Sequence, residues 1–79
     1  MTGNSGININ LFPNPTSSIL NVTSVSDKAT FVVYNLLGQT IMNGKIANGS
    51  IDVSNIHSGN YILEISDNES IITKRFIKE

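Results

Sequence analysis

Apolar and polar residues alternate along this chain with a period of two. Ile7-Asn8-Ile9-Asn10-Leu11, Leu20-Asn21-Val22, Ile51-Asp52-Val53 and Leu63-Glu64-Ile65 all follow it. Alternation sends successive side chains to opposite faces, so these segments predict strands with one buried side, not helices, whose apolar residues recur three or four apart. Turn chemistry separates them at short intervals: Pro13-Asn14-Pro15, Ser26-Asp27-Lys28, Gly38, Asn48-Gly49, Ser58-Gly59-Asn60 and Asp67-Asn68-Glu69. Strands are expected at about 7–12, 18–24, 29–35, 39–46, 49–53, 60–66 and 70–78. Seven short strands predict an all-β fold, an antiparallel β-sandwich of immunoglobulin-like type.

Two places leave the pattern open to more than one reading. Asn43-Gly44 and Asn48-Gly49 carry equally good hairpin chemistry only a few residues apart, and both cannot close full hairpins. A hairpin at 47–49 with a bulge at 43–44 is favoured, since glycine inside a strand often marks a bulge. Phe31-Val32-Val33-Tyr34 is apolar on both faces, which predicts a central strand. Tyr34 should then hold its hydroxyl near the strand end, where it finds a partner.

Composition agrees with strands. Isoleucine is the commonest residue, while alanine occurs only at Ala29 and Ala47. A length of 79 residues fits one domain. A net charge of -1 lacks the long-range positive field with which nucleic-acid binders gather phosphate. Cysteine is absent, which excludes a disulfide framework, a thiolate metal site and a cysteine nucleophile. No apolar run approaches the roughly 20 residues of a membrane-spanning helix. Met1-Thr2-Gly3-Asn4-Ser5-Gly6 has neither a basic nor an apolar leader region. Residues 1–8 read as a linker, with Met1 the start of a piece cut from a longer precursor, and residues 9–79 as the domain.

Reactive chemistry is sparse. His57 is the single histidine, and it stands beside a glycine turn without an HxH or HExxH neighbour. No serine sits in a Gly-x-Ser-x-Gly elbow, and the glycines lack phosphate-loop order. Asp67 and Glu69 flank a turn, but two carboxylates fall short of the six to eight oxygens that calcium takes. The expectation is a non-catalytic domain with no cofactor, no metal and no nucleic-acid partner.

The last strand is more informative. Lys74, Arg75 and Lys78 place three of the five basic residues near the end of the chain, interleaved with Phe76 and Ile77. Lysines on an edge strand block edge-to-edge pairing, which is a sufficient structural reason for them. Period two also puts Lys74, Phe76 and Lys78 on one face and Arg75 and Ile77 on the other. A strand of this kind suits a partner that reads it by edge addition.

Leu11-Phe12-Pro13-Asn14-Pro15-Thr16 followed by Leu20-Asn21-Val22 resembles the opening of the type IX secretion system C-terminal sorting domain, type A. Val33-Tyr34-Asn35-Leu36-Leu37-Gly38-Gln39, then Ile51-Asp52-Val53-Ser54 leading to Gly59-Asn60-Tyr61, are similar to that family's middle. Lys74-Arg75-Phe76-Ile77-Lys78 looks like its basic-apolar ending. Ile56 stands where leucine is usual, and an acidic Glu79 follows the last lysine.

The resemblance implies a domain carried at the end of a larger cargo protein. It implies recognition by the translocon of the outer membrane in the periplasm of a Gram-negative bacterium, then removal by a sortase-like peptidase at the cell surface, with many cargoes joined to an anionic lipopolysaccharide. In that reading Lys74 to Lys78 are the recognition segment, and Pro13, Asn14, Pro15, Gly38, Gly59 and Tyr61 are scaffold. Deleting Lys74 to Glu79 is then expected to block export more than it lowers stability. The alternative is a structural or carbohydrate-binding sandwich appended to a surface hydrolase or adhesin.

Overall fold

The two-residue period of the sequence becomes two buried faces that meet. The structure, a computed structural model, describes residues 9–79. Among them are seven strands: β1 (Leu11–Phe12), β2 (Ile19–Val22), β3 (Thr30–Tyr34), β4 (Thr40–Lys45), β5 (Ser50–Asp52), β6 (Gly59–Asp67) and β7 (Ser70–Lys78). They form two antiparallel sheets, one ordered β1-β2-β5 and the other β4-β3-β6-β7. The expected all-β class and the seven segments are found. The linker expected at 1–8 lies outside the described residues.

Leu20 and Val22 of β2 and Ile51 of β5 bury their side chains from one sheet. Phe31 and Val33 of β3, Tyr61, Leu63 and Ile65 of β6, and Phe76 of β7 bury theirs from the other, and all belong to one hydrophobic cluster. Each such burial contributes about 1.5–3 kcal/mol. Residues between them, such as Asn21, Val32 and Glu64, turn to the outer faces and are only half-buried.

β3 lies between β4 and β6, as its two-sided apolar character predicted. The Tyr34 hydroxyl, at the strand's end, donates to a Glu64 carboxylate oxygen at 3.2 Å. Desolvation, and then the neighbouring Glu64 charge, raises the Tyr34 phenol above its ordinary value. β6 and β7 form the longest ladder, paired from Gly59↔Lys78 to Asp67↔Ser70 across the expected turn. At the same end of the molecule Asp67 accepts from both the main-chain N–H and the hydroxyl of Ser26, at 2.8 and 2.5 Å.

The glycine-rich middle departs from expectation in two ways. Asn43 and Gly44 sit in regular register opposite Val32 and Phe31, and the bulge falls instead at Ile41, where pairing shifts from Val33↔Met42 to Tyr34↔Thr40. The Phe31 ring covers Gly44 across the strand pair, and a Cβ there would meet it at 3.4 Å, an ordinary van der Waals contact. The turn at 47–49 is present, with Asn48 and Gly49 at φ 55° and 70° and Ser50 N–H donating to the Ala47 carbonyl at 3.1 Å. Yet it closes no full hairpin. β4 and β5 belong to different sheets, and a single bridge, Ala47↔Ser50, is the antiparallel contact between the turn's two arms. The turn is a corner that carries the chain from one sheet to the other.

Candidate functional site

The segments singled out in the sequence converge on one end of the molecule. Pro13-Asn14-Pro15-Thr16 follows β1, Asn35 to Gln39 links β3 to β4, Gly59 opens β6, and Arg75 to Lys78 closes β7. Strand direction puts all four at the same end. Asn10, bonded to Thr23 through N–H to hydroxyl at 3.0 Å and carbonyl to N–H at 3.1 Å, precedes Asn14 by four residues and so stands within about 14 Å of it.

The Pro-Asn-Pro segment does more than direct the chain. Asn14 lies along the outer edge of β7 and acts as a short stretch of strand: its side-chain oxygen accepts from Ile77 N–H at 2.9 Å and its side-chain nitrogen donates to the Arg75 carbonyl at 3.3 Å. Buried Thr16 continues the pairing. Its N–H donates to the Ile77 carbonyl at 2.9 Å and its carbonyl accepts from Glu79 N–H at 2.8 Å, in a parallel bridge to Lys78. The Thr16 hydroxyl donates to the Ile19 carbonyl at 2.6 Å, which leaves this buried polar side chain satisfied.

Burial divides the five terminal residues. Phe76 is 1% exposed and its ring stacks on Tyr61 with centroids 5.6 Å apart, so it is a core residue. Tyr61 is fixed in turn by its hydroxyl, which donates to the His57 carbonyl at 2.7 Å. Lys78, at 7% exposed, buries its stem on the same face and donates from Nζ to the Glu79 main-chain oxygen at 3.1 Å. Lys74, Arg75 and Ile77 are the exposed members. A partner reaching this strand in the folded domain therefore meets three side chains of the expected five. Removing the whole segment takes away a core aromatic, so the loss of fold expected from deleting residues 74–79 is larger than the sequence suggested.

The sheet edges are unequal. β1 and β5 are two and three residues long, and β4 carries the bulge at Ile41. β7 runs for nine residues, and Asn14 and Thr16 cover its outer edge only at Arg75 and beyond. In an antiparallel ladder, alternate residues present both main-chain groups to the same side. Ile71 and Thr73 therefore present theirs on the side that Asn14 covers at Ile77, where no strand of the described residues pairs with them.

Leu36 and Leu37 had no role assigned from sequence beyond the resemblance. They are 61% and 85% exposed, at the tip of the β3–β4 turn. The turn itself is tightly bonded. The Asn35 side-chain oxygen accepts from the N–H groups of Leu37 and Gln39 at 2.9 and 3.0 Å, and its amide donates to the Gln39 side chain at 2.7 Å. Gly38, at φ 84°, supplies the left-handed residue and donates to the Asn35 carbonyl at 3.0 Å. The sequence signal for this tip was an adjacent leucine pair between Asn35 and Gly38, outside the alternation of the strands.

Between this turn and β7 lies an open cleft of about 340 Å³, with Asn14, Leu36, Asn60, Arg75 and Ile77 among its walls. Arg75 is the one ionised side chain that lines it. His57 is exposed, and no group of three or more His, Cys, Asp or Glu side chains gathers among the described residues.

Comparison with known proteins accords with this geometry. Residues 10–79 match the family described as secretion system C-terminal sorting domain. The chain is 38% identical over 58 residues to beta-agarase D of Zobellia galactanivorans, an alignment covering 73% of this chain and 12% of that protein. The chain thus spans a small fraction of that relative's length. With the family match running from Asn10 through the terminal strand, and the Pro-Asn-Pro turn seated against that strand, the chain belongs to the type IX secretion system C-terminal sorting domains.

Proposed function

We propose that the end of the domain formed by Asn14, the β3–β4 turn and the outer edge of β7 is the surface by which the type IX translocon takes up a cargo fused ahead of residue 9. A sortase-like peptidase then cuts the fusion in or before residues 1–8. The domain itself performs no chemistry. The observation that carries this reading is the pairing of Asn14 with Arg75 and Ile77, which builds the two most distinctive motifs into one surface. Edge addition at Ile71 and Thr73 is the mode of contact, with Lys74 and Arg75 beside it.

We read the two sheets as an immunoglobulin-like sandwich. The first, second and fifth strands share one sheet while the third, sixth and seventh lie together in the other, with the fourth beside the third. The Tyr61 hydroxyl reaches back to the His57 carbonyl at the start of β6, as the corner tyrosine of such sandwiches does. A carbohydrate platform has less support, since Phe12 is the one strongly exposed aromatic.

The test is a reporter fused ahead of the domain in a host with a type IX system, comparing wild type with Thr73→Pro. Proline removes an outward-pointing N–H and is tolerated on sheet edges. Export of the wild type, with retention of a folded Thr73→Pro fusion in the periplasm, is expected. Retention of the wild type would overturn the sorting role, and equal export of both would overturn edge addition.

A further inference from the structure

We infer that the cleft beside Arg75 receives an extended protein segment carrying a carboxylate next to apolar side chains, and that Leu36 and Leu37 anchor the same partner; this rests on the sorting role proposed above. Three observations converge. The cleft walls combine apolar Leu36 and Ile77 with the amide of Asn60, and the charge among them is a single guanidinium with no lining carboxylate to neutralise it. Arginine's planar fork pairs with a carboxylate through two parallel hydrogen bonds.

The second observation is the tip itself. Exposed leucines in a loose loop are ordinary, but here they are displayed by a turn whose main chain is already held by the Asn35 side chain and by Gly38. A partner covering them loses little free energy to ordering the loop, which is how preorganised anchors gain affinity. The third is adjacency. Leu36 belongs both to the tip and to the cleft wall, so one partner segment lying in the cleft touches the anchor and the guanidinium together.

The experiment uses the same reporter fusion in a type IX host, with export and the melting midpoint measured for wild type, Arg75→Lys, Arg75→Gln, Arg75→Glu and a Leu36→Ser/Leu37→Ser double variant. Expected is export falling in the order wild type, Arg75→Lys, Arg75→Gln, Arg75→Glu. Arg75→Glu and the leucine variant should lie about tenfold or more below wild type while melting is unchanged. Arg75→Gln serves as the deciding variant should Arg75→Glu lower the melting midpoint. Wild-type export with equal export of the Arg75→Gln and Arg75→Glu fusions overturns the carboxylate-bearing occupant and leaves the sorting role standing. Equal export of the leucine variant overturns the anchor. Failure of the wild-type fusion to leave the periplasm removes the sorting role and this inference with it.

Discussion

Asn14 holds Ile77: the asparagine side-chain oxygen accepts from the Ile77 N–H at 2.9 Å while the same amide donates to the Arg75 carbonyl. An amide is the one side-chain group that offers an acceptor and a donor side by side, as a strand's main chain does. The pairing therefore explains why asparagine stands between the two prolines, and it makes the first loop a cover for the last strand.

Replacing Asn14 by alanine removes both bonds. Unfolding free energy should fall by about 1–2 kcal/mol, at the net worth of two exposed hydrogen bonds. Hydrogen exchange gives the sharper reading: the Ile77 amide should exchange faster in Asn14→Ala, and unchanged protection there would show that Asn14 does not cover the strand.

Phe76 and Arg75 are neighbours with opposite fates. Phe76→Ala opens a cavity against Tyr61 and should cost about 3–5 kcal/mol in chemical denaturation. Arg75→Ala, on the exposed side, should stay within about 0.5 kcal/mol of wild type. Equal losses would contradict the division of the terminal strand into core and reachable residues.

Hydrogen bonds from the Ser26 side chain and main chain hold Asp67 below the usual carboxylate range, and those from Ser54 do the same for Asp52. A depressed folded value contributes stability that is present above the ordinary aspartate pKa of about 3.9 and is lost as pH falls through the folded value. Melting midpoints should therefore decline below about pH 4. Asp67→Asn should be less stable at neutral pH and show a shallower acid decline; an identical decline would assign the acid sensitivity elsewhere.

A side chain at Gly49 would be strained. Its φ is 70°, and a Cβ would stand 3.1 Å from the Val22 carbonyl oxygen, which lies beside the turn because Val22 N–H donates to the Gly49 carbonyl at 2.7 Å. Gly49→Ala should cost about 1–2 kcal/mol for the left-handed backbone, with the close contact added. Wild-type stability in a denaturation series would mean that the corner relaxes freely.

Alternation and turn chemistry act between near neighbours, so the number of strands, the inward faces of β2 and β6, and the turn at Asn68 could all be read from residue order. The central place of Phe31 to Tyr34 was readable for the same reason, because a strand apolar on both sides needs neighbours on both sides. Contacts across the fold were not. The bulge at Ile41 depends on how β4 registers against β3, which is not encoded in the Asn-Gly pair itself.

Nor does the composition of the last strand say which lysine is buried, since a charged residue is ordinarily expected outside. Period two put Lys78 on the face of Phe76, and only packing carried that face into the core. Asn14 and Arg75 lie 61 positions apart, and the hydrogen bond between them requires both sheets to have closed. Local patterns are set by steric preference and side-chain period, whereas the meeting of distant edges is set by the balance of packing and hydrogen bonding over the whole domain. That balance brought the first loop, the leucine turn and the terminal strand to a single end.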